Sequence, residues 1–266
     1  MLHVQEHAYT GLAENYQKTR PTYPAEMGQA ITAFAKNALE PGAIAIDVGS
    51  GTGLSTFFLA AALPADCIVM GIEPNADMRA QANAAIPPDR AITFIAGAAD
   101  NLTVGNAQAA LVTVGQAVQW FDRPKFYAEA HRVLRRGGVI ALFENNRDWR
   151  RSAFLEAHEA FLETHAIRKD GSRYSRHYRD HPYAQELFRT FGNVTARQFE
   201  WERRMTQEAF LTMALSSTQV QAAVEQIGLD QTTHMIGQYC GRFAGPDGIL
   251  GVPYTTDLYM AKKAAD

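Results

Sequence analysis

Three glycines at every second position follow an acid that closes an apolar run, Ile44-Ala45-Ile46-Asp47-Val48-Gly49-Ser50-Gly51-Thr52-Gly53. Glycine turns where other residues are strained, and it lets a ligand lie directly against the backbone. About 20 residues further on, Glu73 closes a second apolar run, Cys67-Ile68-Val69-Met70-Gly71-Ile72. A carboxylate at the tip of a second strand can accept hydrogen bonds from both hydroxyls of a ribose. The chemistry these types and spacings suit is the holding of a nucleotide-type cofactor. A dinucleotide fingerprint, G-x-G-x-x-G, would put its third glycine where Leu54 stands, and a phosphate-cradling loop would need a Lys after its last glycine.

Such a turn has to be carried by a strand and a helix. An apolar run of this length closed by glycines reads as a buried parallel strand. Leu54, Phe57, Phe58 and Ala61 at helical spacing predict a helix over 54–63. Further strands are predicted at 92–96, 109–114 and from Val139 to about Glu144, the last after a helix that stops at Gly137-Gly138. Beyond Glu144 the pattern predicts helices at about 152–166 and 182–191, with a polar loop rich in Arg and Tyr between them. An alternating strand at 194–203, helices at 206–215 and 217–227, and a closing strand at 254–261 complete the chain. Ligands in an open α/β sheet sit outside the carboxyl ends of the strands. The segments able to roof such a site are therefore 1–24, 145–182 and 204–250.

The pattern Asp47-x-Gly49-x-Gly51-x-Gly53 resembles motif I of class I S-adenosylmethionine (SAM)-dependent methyltransferases. In that family the strand's acid and the glycine turn receive the methionine half of SAM. Glu73-Pro74-Asn75-Ala76-Asp77-Met78 is similar to the family's acidic loop, with Met78 placed near the adenine. Gly97-Ala98-Ala99-Asp100-Asn101-Leu102 is similar to a G-x-A-E-x-L segment that lines the adenine; Ala98 stands where an acid or hydroxyl is frequent. Gly115-Gln116-Ala117-Val118-Gln119-Trp120-Phe121-Asp122 resembles A-x-H-W-F-D, with Gln119 in place of the frequent His. Arg132-Val133-Leu134-Arg135-Arg136-Gly137-Gly138 resembles R-V-L-K-P-G-G, with Arg136 in place of Pro.

A narrower likeness lies at the two ends. Tyr16-Gln17-Lys18-Thr19-Arg20-Pro21-Thr22-Tyr23-Pro24 and residues 251–263 resemble segments of the trans-aconitate methyltransferase-like, methyltransferase type 11 branch. There the N-terminal segment folds over the cofactor, and Arg20 would pair with the SAM carboxylate through its planar fork.

The resemblance implies a doubly wound, Rossmann-like α/β fold. Its seven-stranded, mostly parallel sheet has an antiparallel last strand beside strand six, and a helical cap is added. It divides the chain into a lid and first helix (1–40), a SAM-binding core (41–145) and the remaining sheet with cap and substrate-binding insertions (146–266). It places Tyr16, Arg20, Asp47, Gly49, Ser50, Gly51, Thr52, Gly53, Glu73, Pro74, Met78, Ala98, Ala99 and Gln116 at the cofactor. Tyr23, Trp120, Arg147, Trp149 and Tyr178 are candidates for the substrate side, and Gln119, Trp120 and His177 for catalysis.

The implied reaction moves a methyl group to a small-molecule acceptor. A carboxylate or hydroxyl oxygen is favoured, because no His base stands on the matched segments and a carboxylate needs none. His177, Tyr178, Tyr23 and Glu144 are the alternatives for a base. A NAD-dependent oxidoreductase, disfavoured by Leu54, and a non-catalytic SAM-binding protein are the competing readings.

Composition agrees with a compact enzyme: of 266 residues, 47% are hydrophobic and 20% charged. A net charge of −3 gives no basic field to hold a polyanion, so nucleic acid is not expected as a partner. Arg147, Arg150, Arg151, Arg168, Lys169, Arg173, Arg176 and Arg179 cluster locally and read as either a solvated face or part of an anion pocket. Two distant cysteines, Cys67 and Cys240, and histidines without zinc spacing predict neither disulfide nor metal. No apolar stretch approaches ~18 residues and residues 1–10 do not read as a signal peptide, so a cytoplasmic protein is expected.

Overall fold

In a computed structural model, residues 21–177 and 180–264 are described. Five apolar runs become the parallel strands β1 (Ile44–Val48), β2 (Ile68–Ile72), β3 (Ile92–Ile95), β4 (Ala109–Gly115) and β5 (Leu134–Arg147). β6 (Val194–Thr206) and β7 (Ile249–Lys262) complete a seven-stranded sheet in the order β3-β2-β1-β4-β5-β7-β6, with β7 antiparallel to both neighbours. Every residue of β4 is buried, as expected of a strand covered on both faces.

Side chains of alternate residues feed two cores. Ala45 points to one face, where α1 (Ala25–Ala35) and α2 (Leu54–Ala62) pack through Met27, Ile31 and Leu59. Ile46 and Val48 point to the other, against Phe126 and Ala130 of α4 (Arg123–Val133) and Leu187 of α6 (Tyr183–Phe191). The short α3 (Ala76–Ala84) opens with Asn75, whose side chain accepts the Met78 N–H.

A third core lies apart from these. It joins α5 (Ala153–His165), α7 (Gln207–Leu215), α8 (Thr218–Ile227) and α9 (Leu229–Phe243) with Met205, Leu250, Val252 and Tyr254. The β6–β7 register is continuous from Val194↔Ala261 to Thr206↔Ile249, whereas β5 follows β7 only as far as Arg147↔Tyr254. The antiparallel β6–β7 pair therefore runs on beyond the parallel sheet, and its free length supports the helices above the carboxyl ends of β4 and β5.

Three differences from the sequence reading share one cause. β5 runs three residues past Glu144, β6 reaches Thr206, and β7 begins at Ile249, five residues before its expected start. Pairing along the long β7 strand fixes these ends, and pairing partners cannot be read from one strand alone. Helix α9 is a further difference: its sequence carries Gly237 and Gly241, which disfavour a helix, and only Thr232, Ile236 and Cys240 of its 15 residues are buried.

Candidate active site

The three glycines of the turn do three different jobs. All have left-handed backbones, with φ of 71°, 54° and 90° at Gly49, Gly51 and Gly53. A Cβ on Gly49 would lie 2.7 Å from the Ala117 Cβ, and one on Gly53 would meet the Phe57 and Phe94 rings within 2.9 Å. Those two glycines let neighbouring elements approach. A Cβ on Gly51 would meet only Met78 Sδ, at 3.8 Å, because it would point into a cavity of about 850 Å³. Gly49, Ser50, Gly51 and Thr52 line that cavity.

Asp47 and Gly53 do not line it. Asp47 is wholly buried beneath the turn, where it accepts from Ser55 Oγ at 2.6 Å, Thr56 Oγ1 at 2.7 Å and Thr113 Oγ1 at 3.0 Å. It braces β1 to α2 and β4. Burial pushes its carboxyl above the usual range, against the pull of the three hydroxyls.

Glu73 ends β2 on the cavity wall. Its Oε2 accepts the Gly51 N–H and its Oε1 the Asn75 N–H, each at 2.9 Å, so the acid holds the turn that the ligand would touch. Burial raises its carboxyl, and the two backbone donors and Arg79 oppose the rise. Pro74 and Met78 line the same wall. Ala98 and Ala99 do not: Ala98 bridges to Asn101, and Ala99 packs on the second core.

From β4 and β5 come Gln116, Gln119, Trp120, Arg147 and Trp149, all on the cavity wall. Gln116 is a left-handed residue other than glycine, at φ 59°. Its Nε2 donates to the Asn145 carbonyl at 2.7 Å, and Gln119 Nε2 donates to the Gln116 carbonyl at 3.1 Å. Tyr23 also lines the cavity and sets its ring edge-on to Phe143, with centroids 4.8 Å apart.

On the far side of the cavity, residues that the sequence did not single out join Arg147, Trp149, Arg150 and Arg176, which it did. Glu159 of α5 is buried on the wall; Tyr174 donates to its Oε2 at 2.5 Å, and Arg147 Nη2 lies 3.8 Å from its Oε1. The Arg150 and Arg176 guanidinium groups each lie 4.6 Å from the Trp149 ring centre. Met213, Tyr254 and the start of α8, Ser217 to Gln219, complete this side. One sequence signal pointed there: Leu155, His158, Glu159 and Leu162 share a helical stripe, so two polar residues sit on the apolar face of α5. His177 does not line the cavity; its Nδ1 is 2.9 Å from Asp180 Oδ2 and its ring meets the edge of Trp149. Tyr16, Arg20 and Tyr178 lie outside the described residues.

Residues 46–142 match the methyltransferase domain family. The chain carries a SAM-dependent methyltransferase domain. It is 28% identical to an uncharacterized methyltransferase of Mycobacterium tuberculosis over 254 residues, 94% of this chain and 93% of that one. A malonyl-[acyl-carrier protein] O-methyltransferase of Methylococcus capsulatus is 30% identical over 118 residues, 44% of this chain and 42% of that one. The fold is that of an Anaeromyxobacter dehalogenans protein described as a type II methyltransferase, with TM-score 0.69 and 22% identity, covering 93% of this chain and 99% of that one. The methyltransferase assignment replaces the nicotinamide alternative.

The residues present fit SAM. The Gly51 cradle would be filled by any Cβ, and Ser50 Oγ, Thr52 Oγ1 and Gln119 Oε1 are buried polar atoms with no partner among the described residues. Glu73 would accept from the ribose diol, and Gly49 to Thr52 would supply the backbone for the adjoining part of the cofactor. Among the described residues no helix is long and apolar enough to cross a membrane, and no His, Cys, Asp and Glu cluster could hold a metal ion.

Proposed function

We propose that the methyltransferase acts on an oxygen, carboxylate or hydroxyl, of a small-molecule acceptor bound between the glycine turn and the Arg147–Trp149–Arg176 wall. The observation that carries this reading is the continuity of one cavity from Gly51 to that wall. Its volume is in the range of small-molecule sites rather than of macromolecular grooves. SAM, when bound, supplies a methyl group already activated by its sulfonium. The chain must align the acceptor and exclude water, and orientation alone can contribute about 7–11 kcal/mol.

Two features favour oxygen. The loop after β4 offers the Gln119 amide rather than a base, and a carboxylate acceptor requires none at neutral pH. The wall also offers guanidinium groups, the side chains best matched to a carboxylate. They are balanced by Glu159, Glu163, Asp148 and Glu200, so the wall supplies directed donors rather than a strong field. The O-methyltransferase named in Methylococcus makes oxygen the first acceptor atom to test. Within the same reading, residues 146–266 supply the cap that shapes the acceptor half; of the N-terminal lid expected over 1–24, residues 1–20 lie outside the described residues.

The test is incubation with methyl-labelled SAM and a panel of small carboxylic acids, phenols, amines and thiols, followed by mass spectrometry. Label in base-labile methyl esters or in aryl ethers supports the reading. Label confined to nitrogen or sulfur acceptors overturns it.

A further inference from the structure

Gln119 stands on the loop after β4 with its amide orientation fixed. Its Nε2 donates to the Gln116 carbonyl, and the reverse orientation would set two acceptor oxygens against each other. Gln116 is itself held by its Nε2 on the Asn145 carbonyl and by its N–H on the Phe143 carbonyl, at 3.1 Å. Asn145 is oriented from the edge of the sheet. Trp201 Nε1 donates to Thr256 Oγ1 at 2.8 Å, Thr256 then donates to Asn145 Oδ1 at 2.6 Å, and Asn145 Nδ2 donates to the Thr22 carbonyl at 3.1 Å. A run of hydrogen bonds thus crosses from β6 through β7 and β5 to the loop after β4. It ends at Gln119 Oε1, a buried acceptor with no donor among the described residues. Buried acceptors in folded proteins are nearly all matched. Gln119 lines the cavity, so the matching donor belongs to a ligand.

The strand order decides which donor. Glu73 ends β2 and Gln119 follows β4, on opposite sides of the β1 turn. A SAM molecule with its ribose diol at Glu73 that crosses Gly51 brings its amino-acid end, and not its adenine, to the β4 side. We propose that Gln119 is a cofactor-positioning residue whose Oε1 accepts a hydrogen bond from the α-ammonium group of SAM. The amide run from Trp201 then sets the direction in which the methionyl arm, and with it the sulfonium, is held.

This inference rests on the cofactor and not on the acceptor proposed above. Its test is calorimetry of two probes, S-adenosylhomocysteine (SAH) and 5′-methylthioadenosine, which lacks the amino-acid group. The proteins compared are the native chain, Gln119→Met and Gln119→Leu, with thermal melts to confirm folding. Loss of a hydrogen bond to a charged group should make Gln119→Met bind SAH about 10-fold or more weakly, with 5′-methylthioadenosine changed by less than about 2-fold. Gln119→Leu, which removes the acceptor in a different shape, should show the same selective loss of SAH. Unchanged SAH affinity in Gln119→Met, or parallel loss of both probes, overturns the inference. Native SAH affinity in a folded Gln119→Leu overturns it as well, and that variant decides the matter if Gln119→Met does not fold.

Discussion

Replacing Gly51 with Val separates the strain of the turn from its use. The φ of 54° is left-handed, and a side chain there costs about 1–2 kcal/mol of stability. The surrounding protein adds no clash, since the nearest atom to the new Cβ is Met78 Sδ at 3.8 Å. At about 2–4 °C per kcal/mol, the melting temperature should fall by roughly 2–8 °C and the variant should remain folded. Gly42→Val is the matched control: its φ is 75°, nothing lies within 4 Å of its Cβ, and it does not line the cavity. Both variants should lose similar stability. The native chain and Gly42→Val should bind SAH with low-micromolar or better affinity, and at 100 times Kd gain about 2.7 kcal/mol, or ~5–10 °C. Gly51→Val should gain nothing, because the valine methyls occupy the volume the cofactor needs. Calorimetry showing SAH bound by Gly51→Val as tightly as by Gly42→Val would refute the placement.

Glu73→Ala should weaken SAM and SAH equally, by about 1.5–3 kcal/mol, because both carry the same diol and lose the same charged acceptor; unequal losses would place Glu73 near the sulfur instead. Asp47→Ala leaves the hydroxyls of Ser55, Thr56 and Thr113 without their acceptor and should cost about 3 kcal/mol in urea unfolding; a loss below about 1 kcal/mol would show that Asp47 is not a brace. His158 is buried beside Arg147, with its Nδ1 2.7 Å from the Tyr239 hydroxyl, and burial holds its pKa well below 6.5. The unfolded chain therefore takes up a proton below pH 6.5 that the folded chain refuses, so stability falls as pH falls. Between pH 7.5 and 5.5 the native chain should lose about 1.4 kcal/mol more than His158→Gln; equal losses would show that His158 is accessible to protons when folded.

The sheet and the cofactor side were legible because their signals are local. The spacing of Gly49, Gly51 and Gly53, and Glu73 at the end of its own apolar run, need no partner to be read. The same spacing could not assign the glycines their separate jobs, since Gly49 answers to Ala117 and Gly53 to Phe57 and Phe94, and only Gly51 opens on the cavity. Asp47 was read toward the ligand, while the hydroxyls that claim it come from α2 and from β4, 66 residues away. The acceptor half was hidden for the same reason. Glu159, Tyr174, Met213, Ser217 and Tyr254 meet only when α5, α7, α8 and the free end of the β6–β7 pair pack together. The polar pair His158–Glu159 on an apolar helical stripe was the one local sign of that assembly.

A structure of the complex with SAH tests the central claim most directly. The ribose hydroxyls should lie within hydrogen-bond distance of the Glu73 carboxylate, the chain between ribose and sulfur should cross Gly51, and the sulfur should face the Arg147–Trp149 wall. SAH bound elsewhere, or bound in this cavity with its ribose away from Glu73, would contradict the account.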